Sequence, residues 1–374
     1  MASPVPIALF IGQWLPYSET FVHDQLRQQR RFHAHVFARG RAAGAERLAY
    51  PDVTALSEAE SALLYWTGLG PRFTRELRVQ QPRLIHAHFG TNGVLATPFA
   101  RALDVPLVVS FHGHDVAGLF PQNRWTLRYA RYQRHAAEMF ERASLLLCAS
   151  SELADLLVSR AGAPAAKVVV HRLGIDLSRW DANVPRPGPL RVLMVGRLVE
   201  KKGMSHGLLA FSELRRSVPD ASLQIIGDGP LRAQLQRQAA RLGMQECVEL
   251  SGALPADAVV AAMHRAHILM APSVVARDGD RESGVLVLKE AGAAGLATVG
   301  TLHGGIPEII DDQITGLLVP ERDDAALSAA LLRLASDAGL RAQLGAAARR
   351  KMEQHYDTVR QHERLEELLA SALR

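Results

Sequence analysis

The stretch Arg281-Glu-Ser-Gly-Val-Leu-Val-Leu-Lys-Glu290 sets two carboxylates, Glu282 and Glu290, eight residues apart across what reads as the first turns of a buried helix. Spacing alone carries little, because a chain of this length holds such a pair by chance. The surroundings decide. An apolar strand, His267 to Ala271, runs into a polar loop that ends at Glu282, and Ser283 and Gly284 then open an apolar helix. That order aims free backbone N–H groups and the positive end of a helix dipole at whatever lies beside Glu282, an arrangement that holds a phosphate. A carboxylate in the same place repels an anion and suits hydroxyl groups. Phosphate beside hydroxyls means a nucleotide sugar.

Outward from that stretch, short apolar runs alternate with helical segments along the whole chain. The first series of strands is read at Ile7 to Ile11, His35 to Ala38, Leu84 to His88, Leu107 to Phe111, Leu145 to Ala149 and Val168 to His171. The second is read at Arg191 to Val195, Ser222 to Ile226, Val248 to Leu250, Ile268 to Ala271, Ala297 to Val299 and Leu317 to Val319. Strands separated by helices imply βαβ units and parallel sheets, here twice over. Between the series lies Asn183-Val-Pro-Arg-Pro-Gly-Pro189, which cannot continue a helix or a central strand and reads as a linker. The expected organisation is α/β, with a first doubly wound domain over 1–182, a second over 190–355, and a C-terminal helix over 356–374 that crosses back to brace the first. Ala325 to Arg350 reads as a pair of surface helices. Ligands in such folds bind beyond the carboxyl ends of the strands.

Composition agrees. A chain of 374 residues, 48% hydrophobic and 22% charged, is too long for one core of ordinary size, about 250 to 300 residues. Cys148 and Cys247 are the only cysteines and sit in apolar runs, so neither a disulfide framework nor a cysteine-rich metal site is expected. The first apolar run lacks a preceding basic segment, and no apolar run reaches about eighteen residues, so the chain reads as neither exported nor membrane-spanning. Residues 1 to 182 hold 20 Lys and Arg against 15 Asp and Glu, while residues 183 to 374 hold 23 of each. The basic half suggests an anionic partner. No zinc-finger, helix-turn-helix or RNA-binding signature accompanies it, which favours an anionic membrane surface over nucleic acid.

The loops after strands carry the chemistry. After Arg191 to Val195 come Gly196, which lets backbone approach a ligand, Arg197, whose planar fork suits a diphosphate, and Lys202, a point charge at a helix start. A solvated turn with surface cations is the alternative. Gly227-Asp-Gly-Pro230 and Gly304-Gly-Ile-Pro-Glu308 follow later strands. No G-x-G-x-x-G occurs, which weakens a dinucleotide-binding reading.

Together these stretches resemble the retaining glycosyltransferases of the GT-B fold with an E-x7-E motif, the group 1 or family 4 type, over nearly the whole chain. The resemblance implies two Rossmann-like domains facing a central cleft. It implies that Gly196, Arg197 and Lys202 grip the donor diphosphate, that Glu282 meets the donor sugar hydroxyls, that Glu290 meets the ribose, and that Gly284, Val285 and Leu286 lie along the nucleotide. Thr315-Gly-Leu-Leu-Val-Pro320 and Gly174-Ile-Asp176 also match. Pro16-Tyr-Ser-Glu-Thr-Phe21, His86-Ala-His-Phe-Gly90, Ser110-Phe-His-Gly-His-Asp115 and the loop Pro272 to Glu282 are similar to the branch that builds exopolysaccharides such as colanic acid and amylovoran. His112 matches the family's active-site histidine, which contacts the donor sugar, and Glu19, His88, His114 and Asp115 are expected on the acceptor side. A zinc site at the clustered histidines is the rival reading. Val285 and Gly295-Leu-Ala-Thr298 depart from the family pattern, so donor selectivity does not carry over.

The resemblance implies front-face transfer of a hexose from a UDP- or GDP-sugar, without a metal ion, to a saccharide acceptor in a cytoplasmic enzyme. Asn123 to His135, if helical, aligns Arg124, Arg128, Arg131 and Arg134 in one stripe and Trp125, Tyr129 and Tyr132 in another. That is either a basic-aromatic interfacial helix, which would suit a lipid-linked acceptor and a peripheral place on the membrane, or a core stripe with a solvated basic face. A soluble acceptor such as an aminocyclitol, and a nucleotide-sugar-binding protein without turnover, are the other readings.

Overall fold

The computed structural model describes residues 3–14, 20–42, 50–120, 123 and 126–374. The chain divides into two compact units, one of residues 1–173 and 359–374, the other of residues 174–358.

The first unit holds a parallel sheet of β1 (Val5–Trp14), β2 (Phe32–Arg41), β3 (Val53–Ala55), β4 (Ile85–His88), β5 (Leu107–Phe111), β6 (Leu145–Cys148) and β7 (Val168–Val170), in the order β3-β2-β1-β4-β5-β6-β7. Alternate residues of β1 serve opposite faces: Ala8 and Phe10 join one core with Phe73, Phe99 and Met139, while Ile7, Leu9 and Ile11 join another with Val22 and Leu26. Burial on both faces is why β1 reads as an unbroken apolar run. β3 was not legible in the sequence. It is three half-buried residues at the sheet edge, too short for a periodic signal.

The second unit repeats the design with β8 (Arg191–Val195), β9 (Ser222–Ile226), β10 (Val248–Gly252), β11 (Ile268–Ala271), β12 (Ala297–Thr301) and β13 (Leu317–Val319), in the order β10-β9-β8-β11-β12-β13. Val192 and Met194 face one core and Leu193 the other. The expected helix pair appears as Asp324–Ser336 and Ala338–His355, each started by an aspartate, Asp323 and Asp337, whose carboxylate accepts a first-turn N–H.

The units divide at 173/174 and 358/359, not at the proline-rich linker. Ile175 bridges to Asp357, and a Cβ on Gly174 would lie 2.5 Å from Thr358 Cα, so the two chain segments run side by side there. The stretch from Asn183 to Pro189 belongs to the second unit, where Arg186 donates to the Ala294 carbonyl and His267 bonds the Arg186 carbonyl. The helix Thr358–Ala372 places Leu365, Leu368 and Leu369 in the same core as Ile7 and Leu9, each such burial contributing about 1.5 to 3 kcal/mol. Its Glu366 accepts from the Arg30 and Arg31 N–H groups at 2.7 and 2.8 Å. No helix among the described residues is long and apolar enough to cross a membrane.

Candidate active site

Each sheet reverses its strand order once, between β1 and β4 and between β8 and β11. Loops leaving those strands part to opposite sides and open a crevice.

In the second unit, the loop after β8 and the loop after β11 meet. A Cβ on Gly196 would stand 3.0 Å from Lys202 Cε, so the absent side chain lets Lys202 fold back over the turn. Lys202 Nζ lies 3.1 Å from Glu282 Oε1, and Lys201 Nζ reaches Asp280 at 3.1 Å and the Arg281 carbonyl at 3.3 Å. Burial pushes the Glu282 carboxyl up, but Lys202 and Lys201 outweigh it and hold the group below its ordinary range. Arg197 is exposed, and nothing among the described residues holds its guanidinium. The fork is open to a ligand.

The helix after Glu282 runs Leu286–Ala293, with the buried Val285 preceding it. Ser283 and Gly284, expected to open it, lie in the loop before, so the free first-turn N–H groups start at Leu286. Glu290 sits in this helix, and burial raises its carboxyl to about 7 against the pull of Arg179 and Lys202. Sequence reading missed His303 and Glu321. His303 accepts the Glu282 N–H at Nε2, 3.0 Å away, and its Nδ1 lies 2.7 Å from Glu321 Oε1. The available signal was position: both follow strands of this sheet, β12 and β13.

In the first unit, β4 and β5 bring the histidines together. His86 bonds Ser110 Oγ at 2.8 Å, and His88 Nδ1 lies 3.0 Å from His112 Nε2 with the rings stacked. Phe21 and Phe89 flank His112 with centroids at 4.9 and 4.7 Å, and Phe89 also meets His114. Burial, with His114, His86 and His171 adding to it, lowers His112 to about 3. His86 and His88 are likewise held well below the usual value by burial first. Burial thus disfavours positive charge across the cluster. Among the described residues no three His, Cys, Asp or Glu side chains converge to hold a metal ion.

Asp115, expected on the acceptor side, is fully buried. Its oxygens accept the N–H groups of Gly90 at 2.9 Å, His112 at 3.1 Å and Gly113 at 2.9 Å, which ties the loops after β4 and β5 together. His88 is buried beneath His112, whereas His114 is partly exposed. Glu19 lies outside the described residues, as do Arg124 and Trp125. The helix Leu127–Arg142 buries Tyr132 and half-buries Tyr129 against the first unit's core. Of its two stripes, Tyr129 and Tyr132 face the core, Arg131 is half-buried and donates to the Trp66 carbonyl, and Arg134 is exposed.

Residues 179–351 match the family model described as glycosyl transferases group 1, and residues 18–179 match glycosyltransferase family 4. The amylovoran biosynthesis glycosyltransferase AmsK of Erwinia amylovora is 34% identical over 75% of this chain and 68% of its own length. This chain belongs to the group 1 glycosyl transferases. The putative colanic acid biosynthesis glycosyltransferase WcaL of Escherichia coli is 33% identical to this glycosyltransferase over 72% of the chain and 66% of WcaL. The chain thus spans about two thirds of the length of these relatives. Among solved structures, Anabaena Alr3699/HepE in complex with UDP superimposes with a TM-score of 0.79 at 19% identity, over 98% of this chain and 100% of that one. The fold is GT-B.

Proposed function

We propose that this glycosyltransferase is a retaining hexosyltransferase, moving a hexose from a UDP- or GDP-sugar to a saccharide acceptor in the synthesis of an exopolysaccharide or other cell-surface glycan. The observation that carries the reading is the Lys202–Glu282 pair at 3.1 Å just before the helix Leu286–Ala293. A cation, a buried carboxylate and helix-start N–H groups in one loop system suit a diphosphate flanked by sugar hydroxyls. The polysaccharide assignment is supported by AmsK and WcaL. The donor class is supported by HepE, solved with UDP and with UDP-glucose.

In this reading the acceptor hydroxyl attacks the anomeric carbon from the leaving-group side. The bond to the diphosphate breaks, and the departing phosphate oxygen takes the hydroxyl proton. Arg197, Lys202 and the N–H groups of Val285 and Leu286 stabilise the charge growing on the diphosphate. Glu282 holds sugar hydroxyls, Glu290 holds the ribose, and neutral His112 hydrogen-bonds the donor sugar. No metal ion is required. The acceptor is lipid-linked, and the first unit meets an anionic membrane surface through exposed apolar and basic residues around Trp66.

The test is a panel of labelled UDP- and GDP-sugars, with and without saccharide acceptors, scored for released or transferred sugar and for the product's anomeric configuration by NMR. Transfer with the donor's configuration supports the reading. An inverted product refutes retention, and tight binding without turnover on any acceptor identifies a nucleotide-sugar-binding protein instead.

A further inference from the structure

Glu282 stands in a loop without regular secondary structure, yet its own peptide is held from both sides. Its N–H donates to His303 Nε2 at 3.0 Å, and its carbonyl accepts from Gly305 N–H at 3.2 Å. Gly304 adopts φ +55°, and a Cβ there would stand 2.1 Å from the Glu282 carbonyl oxygen. The turn from Thr301 to Gly305 is thus wrapped around the peptide that carries the carboxylate. His303 is buried. Since Nε2 accepts, the ring proton must sit on Nδ1, and Nδ1 faces Glu321 Oε1 at 2.7 Å. The second oxygen of Glu321 accepts the Val275 N–H at 2.9 Å. Glu321 therefore grips the loop after β11 twice, directly at Val275 and through His303 at Glu282. The Thr301 hydroxyl adds a third tie, donating to the Ser273 carbonyl at 2.6 Å.

From this geometry we propose that His303 and Glu321 are positioning residues for the glycosyl donor: Glu321 fixes the tautomer of His303, and His303 sets where the Glu282 carboxylate stands against the donor sugar. The inference rests on the reading of Glu282 as the residue that meets sugar hydroxyls. Neither side chain needs to touch the substrate. With the proton on Nε2 instead, two N–H groups would face each other and the Glu282 peptide would lose its acceptor in a buried place, an unpaired state that is costly.

Two amide replacements separate positioning from mere filling of the pocket. In His303→Gln the side-chain carbonyl reaches as far as Nε2 and can still accept the Glu282 N–H. In His303→Asn the amide reaches only as far as Nδ1, so it can serve Glu321 but not Glu282. Both put a polar amide into the same buried site. A purely structural histidine would make the two variants equally impaired.

The experiment uses the full chain with 15N-labelled histidine, together with steady-state turnover of whichever sugar nucleotide the panel shows to be consumed. NMR of the wild type should show His303 as the Nδ1–H tautomer, with Glu321→Ala introducing the Nε2–H form. Turnover in His303→Asn and Glu321→Ala should fall about tenfold to hundredfold, as when a supporting partner of a site residue is lost. His303→Gln should stay within a few-fold of wild type. An Nε2–H tautomer in the wild type, or equal losses in the Gln and Asn variants, overturns the inference. Unchanged turnover in Glu282→Gln would refute the underlying reading instead. If no sugar nucleotide is consumed, the tautomer measurement decides alone.

Discussion

Lys202 Nζ stands 3.1 Å from Glu282 Oε1, with both side chains mostly withdrawn from water. The pair holds a cation where a diphosphate's charge would develop and keeps the carboxylate ionised. Burial alone would raise the Glu282 carboxyl, and the lysines reverse the sign. Its depressed value adds stability above the ordinary carboxylate range, lost as pH falls through the folded value. In Lys202→Ala the main opposing charge is gone. The acid limb of the pH–rate profile should move to higher pH, and kcat should fall by roughly a hundredfold or more, the scale of losing one donor to a developing anion. Steady-state kinetics from pH 4 to 8 check both, and an unmoved acid limb would separate Glu282 from Lys202.

Glu290 runs the other way. Burial raises its carboxyl from 4.5 to about 7, so its contribution to stability is complete below 4.5 and is lost as pH rises to about 7. Glu290→Gln should therefore lose less stability than the wild type between pH 5 and 8, by thermal melting at each pH. If Glu290 accepts ribose hydroxyls, the same variant should bind the nucleotide more weakly at pH 8, with kcat changed less than KM.

Asp115 accepts three backbone N–H groups in a fully buried position. Removing the acceptors leaves those donors unpaired, each costing about 1 to 3 kcal/mol. Asp115→Ala should destabilise the chain by roughly 3 kcal/mol or more in urea unfolding. A variant of native stability with a raised acceptor KM would instead give Asp115 a direct role on the acceptor side.

The alternation of strands and helices was legible because both faces of each sheet are buried, which turns strands such as Ile7 to Ile11 and Leu107 to Phe111 into apolar runs. The loops after β8 and β11 were legible because a glycine, two lysines and a carboxylate follow apolar runs. What sequence could not show depends on distant partners. The unit boundary follows the pairing of Ile175 with Asp357 rather than the prolines at 185 to 189. His303 and Glu321 gain their meaning only when β11, β12 and β13 lie side by side. For Asp115, expected on the acceptor side, nothing local reveals that backbone N–H groups occupy both its oxygens.

Metal independence is the expectation for a donor site in which Arg197, Lys202 and a helix start neutralise the diphosphate. Chelation of divalent cations should leave the transfer rate within about twofold, on the reasoning that electrostatic stabilisation is supplied by fixed protein groups. Loss of activity that manganese or magnesium restores would mean that the leaving group is stabilised by an ion.

The membrane reading can be tested on a specific surface. Trp66, Leu69, Val79 and Leu127 are between 62% and 74% exposed, and Leu63 joins them. They are neighbours: Tyr65 donates to the Leu127 carbonyl at 3.1 Å, Arg131 donates to the Trp66 carbonyl at 3.3 Å, and Leu69 and Val79 line one depression with Arg75 and Arg78. Helix Pro71–Gln80 turns Arg72, Arg75, Arg78 and Val79 outward together. Apolar side chains among cations suit the headgroup region of an anionic bilayer, where each cation contributes about 1 kcal/mol, screened over about 10 Å at 0.1 M salt. Arg75→Gln with Arg78→Gln should weaken binding to anionic vesicles roughly thirtyfold at low salt, from two such contributions. Trp66→Ala with Leu69→Ala should weaken binding at every salt concentration, because apolar insertion is not screened. Vesicle sedimentation with anionic and neutral lipid measures both. If the wild type ignores anionic vesicles at low salt, or binds them equally after both pairs of changes, this face does not meet a membrane and a soluble acceptor becomes the better reading.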